Sequence, residues 1–106
     1  GLARPSLDVS TRECFTTYEF WGCYTASGRV WHGASVGPAW NGRQPFGAGD
    51  VMRLLLDSDA GTLTVKKNGA LLGVAVAGGL TGDLCWAVAV HTAARVRIKA
   101  VDPEEF

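Results

Sequence analysis

The alternation of apolar and polar positions is clearest in residues 62–76. Leu63 and Val65 fall on one side of an extended run, with Thr62, Thr64 and Lys66 on the other. Asn68-Gly69 follows, and both residues tolerate the positive φ of a two-residue type I′ turn, so the pattern predicts a hairpin that returns through the apolar residues 70–76. Residues 50–57, "DVMRLLLD", are apolar on both alternating faces except at Arg53, which predicts a central strand covered on two sides. The Asp-rich stretch 57–61 is a turn. After the Gly-rich residues 78–83 comes another apolar strand at 84–90, "LCWAVAV". Residues 94–101 alternate again, Arg95, Arg97 and Lys99 against Val96 and Ile98, which predicts a last strand with a solvated basic stripe.

Upstream, residues 18–33 predict a second hairpin, with Ala26-Ser27-Gly28 as its turn and Trp21 and Trp31 near its ends. A Gly- and Pro-rich stretch, 34–49, and the aperiodic residues 5–19 are expected as loops. No stretch carries helical periodicity. Strands recurring every 8 to 12 residues or so, with turn signals between them, define an all-β antiparallel sandwich.

Composition narrows the function classes. The 106 residues make one domain, and 47% hydrophobic against 19% charged residues excludes disorder as a description of the whole chain. Ten basic and ten acidic residues give zero net charge, which argues against nucleic acid or an anionic membrane as the main partner. No apolar run reaches the roughly 18 residues of a membrane span, and the first residues lack the order of a secretion signal. Cys14, Cys23 and Cys85 form no C-x-x-C pair, and His32 and His91 are far apart in sequence, so no metal site is expected. Reduced thiols and the absence of any N-x-S/T sequon point to an intracellular, cytoplasmic protein. Residues 102–106, with Asp102, Glu104 and Glu105, are expected as a solvated acidic tail after a domain of residues 1–101.

One catalytic pattern has to be weighed. Gly33-Ala34-Ser35-Val36-Gly37 matches G-x-S-x-G, and an Asp followed by His91 would supply the chain order of a hydrolase triad. Yet Pro38, Trp40, Asn41 and Gly42 do not start a helix, and the parallel sheet that supports such an elbow needs far more chain. "FGAGD" at 46–50 lacks the Gly-Lys-Ser/Thr ending of a phosphate loop. No enzyme activity and no cofactor are expected.

The ordered series Trp21-Gly22, Trp31-His32-Gly33, Phe46-Gly47-Ala48-Gly49-Asp50, Leu56-Asp57 with Gly61-Thr62-Leu63, Lys67-Asn68-Gly69 with Gly73-Val74-Ala75, and the "LCWAVAV" strand resembles the SPRY domain over residues 20–98. Residues 1–4, "GLAR", are similar to the strand that precedes this series in the family. The resemblance implies a concanavalin-like sandwich of two antiparallel sheets that binds a protein or peptide partner through loops at one end, as an adaptor or scaffold without catalytic residues. Family domains have further strands before this point, so the sandwich is expected to be incomplete here. The missing layer would be supplied by a longer polypeptide or another chain, which would cover "LLL" (54–56) and "AVAV" (87–90).

The loops that correspond to the family's binding surface contain Arg12, Phe15, Thr16 and Tyr18 before the Trp-Gly pair, and His91, Thr92 and Ala93 between the last two strands. Some family members carry Trp-Gly at the equivalent of Thr92-Ala93 and read an Asn-rich peptide. That ligand is not expected of this chain. Trp21, Trp31 and Trp86 are expected in the core. Trp40, followed by Asn41-Gly42-Arg43-Gln44, could instead stack on a sugar ring, so a carbohydrate-binding, lectin-like sandwich is the alternative.

Overall fold

A computed structural model describes residues 1–8, 10, 17–33, 40–90 and 95–106, and the backbone of residues 35–36. Among the described residues eight strands form: β1 (Leu2–Ala3), β2 (Phe20–Cys23), β3 (Val30–His32), β4 (Ser35–Val36), β5 (Met52–Asp57), β6 (Thr62–Lys67), β7 (Ala70–Val76) and β8 (Cys85–Trp86). They make a five-stranded sheet in the order β4-β3-β2-β1-β8 and a three-stranded sheet in the order β5-β6-β7. Every pairing is antiparallel. A short 3₁₀ turn at Pro103–Glu105 is the sole helical element among the described residues. The molecule is the all-β antiparallel sandwich that the spacing of strands and turns predicts.

Cross-strand partners share a face, so the registers show which side chains look inward. Leu2 lies opposite Trp21, Leu54 opposite Val65 and Leu56 opposite Leu63. These residues meet between the sheets in two clusters. Leu2, Trp21, Leu63 and Leu80 form one, with Leu54, Leu56 and Leu84 against it. Val30, Trp40 and Val65 form the other, with Phe46, Met52 and Leu72. Leu80, fully buried, comes from the Gly-rich link, whose Leu80 N–H donates to Gly61 O at 3.1 Å and thereby ties the link to the β5–β6 turn.

The Asn-Gly turn has the predicted geometry. Asn68 has φ 51° and Gly69 φ 86°, with Lys67 and Ala70 closing the hairpin. Its side chains do more than turn the chain. Asn68 N–H donates to Val51 O at 2.9 Å, and Asn68 Oδ1 accepts from Val51 N–H at 2.8 Å. Asn68 Nδ2 donates to Asp50 Oδ1 at 2.9 Å, and Asp50 Oδ2 accepts from Gly47 N–H at 2.8 Å. Lys67 Nζ donates to Pro45 O at 2.8 Å and stands 3.9 Å from Asp50 Oδ2. The "KNG" and "GD" motifs are thus two halves of one clamp that sets the start of β5 against the end of β6. The Asp-rich turn also forms as predicted, with Asp57 Oδ1 accepting from Asp59 and Ala60 N–H at 3.0 Å each.

Several expectations need correction. Residues 50–57 do not form a central strand: β5 is at the edge of its sheet and β6 is in the middle. Leu54, Leu55 and Leu56 are only half-buried. An apolar run on both faces predicts cover on both faces, but on the outer side Leu55 borders a cavity that it shares with Val101, Pro103 and Phe106. The strand predicted at 84–90 is a ladder at Cys85–Trp86 alone, prolonged by the reciprocal bonds between Gly1 and Ala87. Residues 95–101 form no strand and lie exposed. Alternation supplies an apolar side, but a strand also requires a ladder partner, and none of the described strand edges pairs with this segment. Residues 35–36, expected as loop, pair with β3. Trp86, expected in the core, is 52% exposed. The acidic residues 102–105 are exposed, and Arg53 and Lys66 donate to the Glu105 and Phe106 carbonyls.

Candidate partner-binding site

Of the residues predicted to contact a partner, Arg12, Phe15, Thr16, His91, Thr92 and Ala93 lie outside the described residues. Tyr18 is described, and it is 73% exposed. It is nevertheless held in place. Gly33 N–H donates to Thr17 O at 3.1 Å, which binds the loop before β2 to the β3–β4 turn. A Cβ at Gly33 would come within 2.5 Å of the Tyr18 ring, and the residue has φ 75°, so glycine serves both the turn and the seat of the ring.

The Tyr18 ring meets His32 edge-on, with centroids 5.2 Å apart and planes at 80°. His32 in turn stacks on Trp21 at 4.3 Å and 9°, and the Arg4 guanidinium stands 5.2 Å from the Trp21 ring centroid. His32 Nδ1 lies 3.0 Å from Phe20 O. A carbonyl oxygen only accepts, so Nδ1 carries the proton in that bond and the ring orientation is fixed. The register explains why His32 is there. It lies opposite Trp21, which lies opposite Leu2, so His32 points between the sheets rather than out to solvent.

His32 also lines a cleft of about 220 Å³ between the two layers. Trp21, Val30 and His32 form its wall on the five-stranded sheet, and Ala75, Val76, Ala77 and Gly78 form the opposite wall at the end of β7. The cleft exists because the β7 side ends in small residues, which leave unfilled the space that a Leu or Phe would occupy. Its chemistry is mainly apolar, with an imidazole at one side. Such a cleft can receive one apolar side chain, and Tyr18 is linked to it through His32.

Sequence reasoning reached Tyr18 but not His32 or residues 75–78. The signal existed: once the hairpin register is known, alternation from Trp21 puts His32 on the inner face, and "AVAGG" (75–79) is a run of small residues where a wide strand is expected.

The other chemistries find less support in the geometry. Ser35 lies in β4, paired antiparallel with His32 across a hairpin, whereas a nucleophile elbow runs from a strand into a helix. Trp40 is buried, and its Nε1 donates to Gly28 O at 2.7 Å, so its ring faces belong to the core and offer no platform to a sugar. The described residues hold no group of three metal-ligating side chains. Among them Cys23 is half-buried with its Sγ 3.6 Å from Gly28 O, and burial pushes its thiol above the ordinary range; Cys85 is exposed. No helix of the described residues is long and apolar enough to cross a membrane. No family model matches the chain, and no curated protein or solved structure is significantly similar to it. The class that the fold defines is an antiparallel β-sandwich with an aromatic-flanked apolar cleft between its layers.

Proposed function

We propose that the chain is a SPRY-like, non-catalytic protein-interaction module of the cell interior, which binds a peptide or protein surface through the Tyr18 loop and the adjoining cleft. The observation that carries this reading is the coupling of an exposed Tyr18 to His32, which lines the apolar cleft. An exposed, conformationally restrained tyrosine beside a cavity sized for one side chain has the make-up of an interface anchor, since a ring fixed beforehand loses little entropy on binding. Trp86, Val88, Val90, Val96 and Ile98 are also largely exposed, and apolar surface of that extent favours a protein that is covered by others. Sugar binding loses its proposed anchor with the burial of Trp40.

Selection of a displayed peptide library on the intact chain tests the reading. Selected peptides are expected to carry an apolar anchor residue and to bind Tyr18→Ala roughly tenfold or more weakly, the loss typical of an anchor side chain. Peptides that bind both proteins equally, or a chain that selects no peptide but binds soluble glycans, would overturn it.

A further inference from the structure

The outer face of the three-stranded sheet carries Arg53 and Lys66, which are cross-strand partners and therefore project from the same side. Residues 102–106 cross this face. Asp102 caps the 3₁₀ turn, its Oδ1 accepting from Glu104 N–H at 3.1 Å, and Pro103 stands at the first position of the turn. The turn presents two carbonyls to the cations. Arg53 Nη1 donates to Glu105 O at 3.1 Å, and Lys66 Nζ donates to Phe106 O while lying 4.5 Å from the centroid of the Phe106 ring.

Beside the turn, at the β5 edge between the layers, is a cavity of about 270 Å³ whose walls include Leu54, Leu55, Leu56, Trp86, Val101 and Phe106. It marks a gap in the second layer, because β5 is the edge of its sheet and no described strand stands beyond it. Residues 102–105 are exposed and Phe106 is half-buried, so the segment rests on the face without being packed into it. Arg53 and Lys66 hold the segment by its Glu105 and Phe106 carbonyls and by the Phe106 ring, while the Asp102 carboxylate caps the turn itself. The occupant seen in cis thus displays a chemistry that the face accepts: the carbonyls of a proline turn and an aromatic ring beside a lysine.

We propose that this face is a second peptide-binding surface, for an aromatic-bearing proline turn of a protein partner, and that residues 102–106 occupy it in cis as a displaceable strap. The cis strap competes for the face and lowers the apparent affinity for the partner by the fraction of time the face is covered. Neither Tyr18 nor the cleft takes part, so this surface stands or falls separately from the first.

The probe is a blocked synthetic hexapeptide, Val-Asp-Pro-Glu-Glu-Phe, added to the intact chain and to Phe106→Ala, with ¹H–¹⁵N shifts of Arg53, Lys66 and the Trp86 indole followed. The peptide is expected to bind Phe106→Ala about tenfold more tightly than the wild type, and Lys66→Met in the Phe106→Ala background is expected to lose about as much again. Circular dichroism confirms that the variants fold; should Phe106→Ala not fold, Pro103→Gly loosens the strap without touching the sheet and takes its place. Equal affinity for wild type and loosened strap, no binding to a folded loosened variant, or indifference to Lys66→Met each overturns the proposal. So does a concentration-dependent dimer that Phe106→Ala abolishes, since a second copy would then be the occupant.

Discussion

The two sheets are built by different means. In the three-stranded sheet, strands of six or seven residues follow one another through two tight turns, and the clamp of Asp50, Lys67 and Asn68 fastens the third corner. In the five-stranded sheet, strands of two to four residues are drawn from distant parts of the chain, and β1 bridges β2 and β8, which are more than 60 residues apart. One layer is therefore specified locally and the other by long-range closure. Contacts close in sequence form at low loop-closure cost, whereas the five-stranded sheet depends on the core to hold its short ladders together. The candidate sites lie in different places: the cleft opens where the two layers part, and residues 102–106 cross the outer side of the three-stranded sheet.

The comparison can be broken hardest at the shared core. Leu63→Ala removes a nearly fully buried side chain that packs with Leu2 and Trp21 of the other sheet, and a loss of about 2 to 5 kcal/mol of unfolding free energy is expected in a denaturant titration. Against a total of roughly 5 to 15 kcal/mol for a small domain, that is enough to unfold a marginal one. Amide exchange should then rise first in β1, β2 and β8 and later in β5–β7. Simultaneous exchange of all strands would show that the layers fold as one unit.

A smaller effect is expected from Asn68→Ala, which deletes the amide that donates to Asp50 and accepts from Val51, and puts a Cβ-only side chain at positive φ. A cost of about 1 to 3 kcal/mol follows, read from the same titration, with exchange in the β6–β7 hairpin raised more than in β2–β3.

The clamp also sharpens the comparison through pH. The Asn68 amide, then the Gly47 N–H and then Lys67 hold the Asp50 carboxyl below its ordinary range. A carboxylate whose folded pKa is depressed contributes stability that is fully present above the unfolded value, near 3.9, and lost as pH falls through the lower folded value. Unfolding midpoints of the wild type should therefore drop in that acid window more steeply than those of Asp50→Asn. Identical acid limbs would remove Asp50 from the account.

How much of this was legible in the sequence follows the same division. The hairpin at 62–76, its type I′ turn and the Asp57 turn were readable because each signal is local: alternation, Asn-Gly, and Asp before a glycine. The β2–β3 hairpin was equally readable. The neighbours of β1 and β8 were not, since a two-residue ladder has no period, and which strand borders which depends on the whole core. The edge position of β5 is not legible because an apolar run on both faces does not tell an edge strand from a central one. Alternation at 95–101 predicted a strand that has no described partner. Of the candidate site, Tyr18 came from the loop that the SPRY resemblance pointed to, while His32 became visible only once the Trp21–His32 register was known. Trp40 looked like a platform in a polar stretch, but its Nε1 bond to Gly28 O makes it core.

The smallest effect on stability is expected from Tyr18→Ala, within about half a kcal/mol, because the ring is mostly exposed. It is also the variant that bears on the central claim, since it should leave the sandwich standing and remove the anchor. The most direct measurement is a ¹H–¹⁵N shift map of the intact chain on titration with a peptide selected against it. The account predicts perturbations concentrated at Tyr18, His32 and residues 75–78, absent in Tyr18→Ala with its thermal midpoint unchanged. Shifts that avoid this cleft, or that persist in the variant, would contradict it.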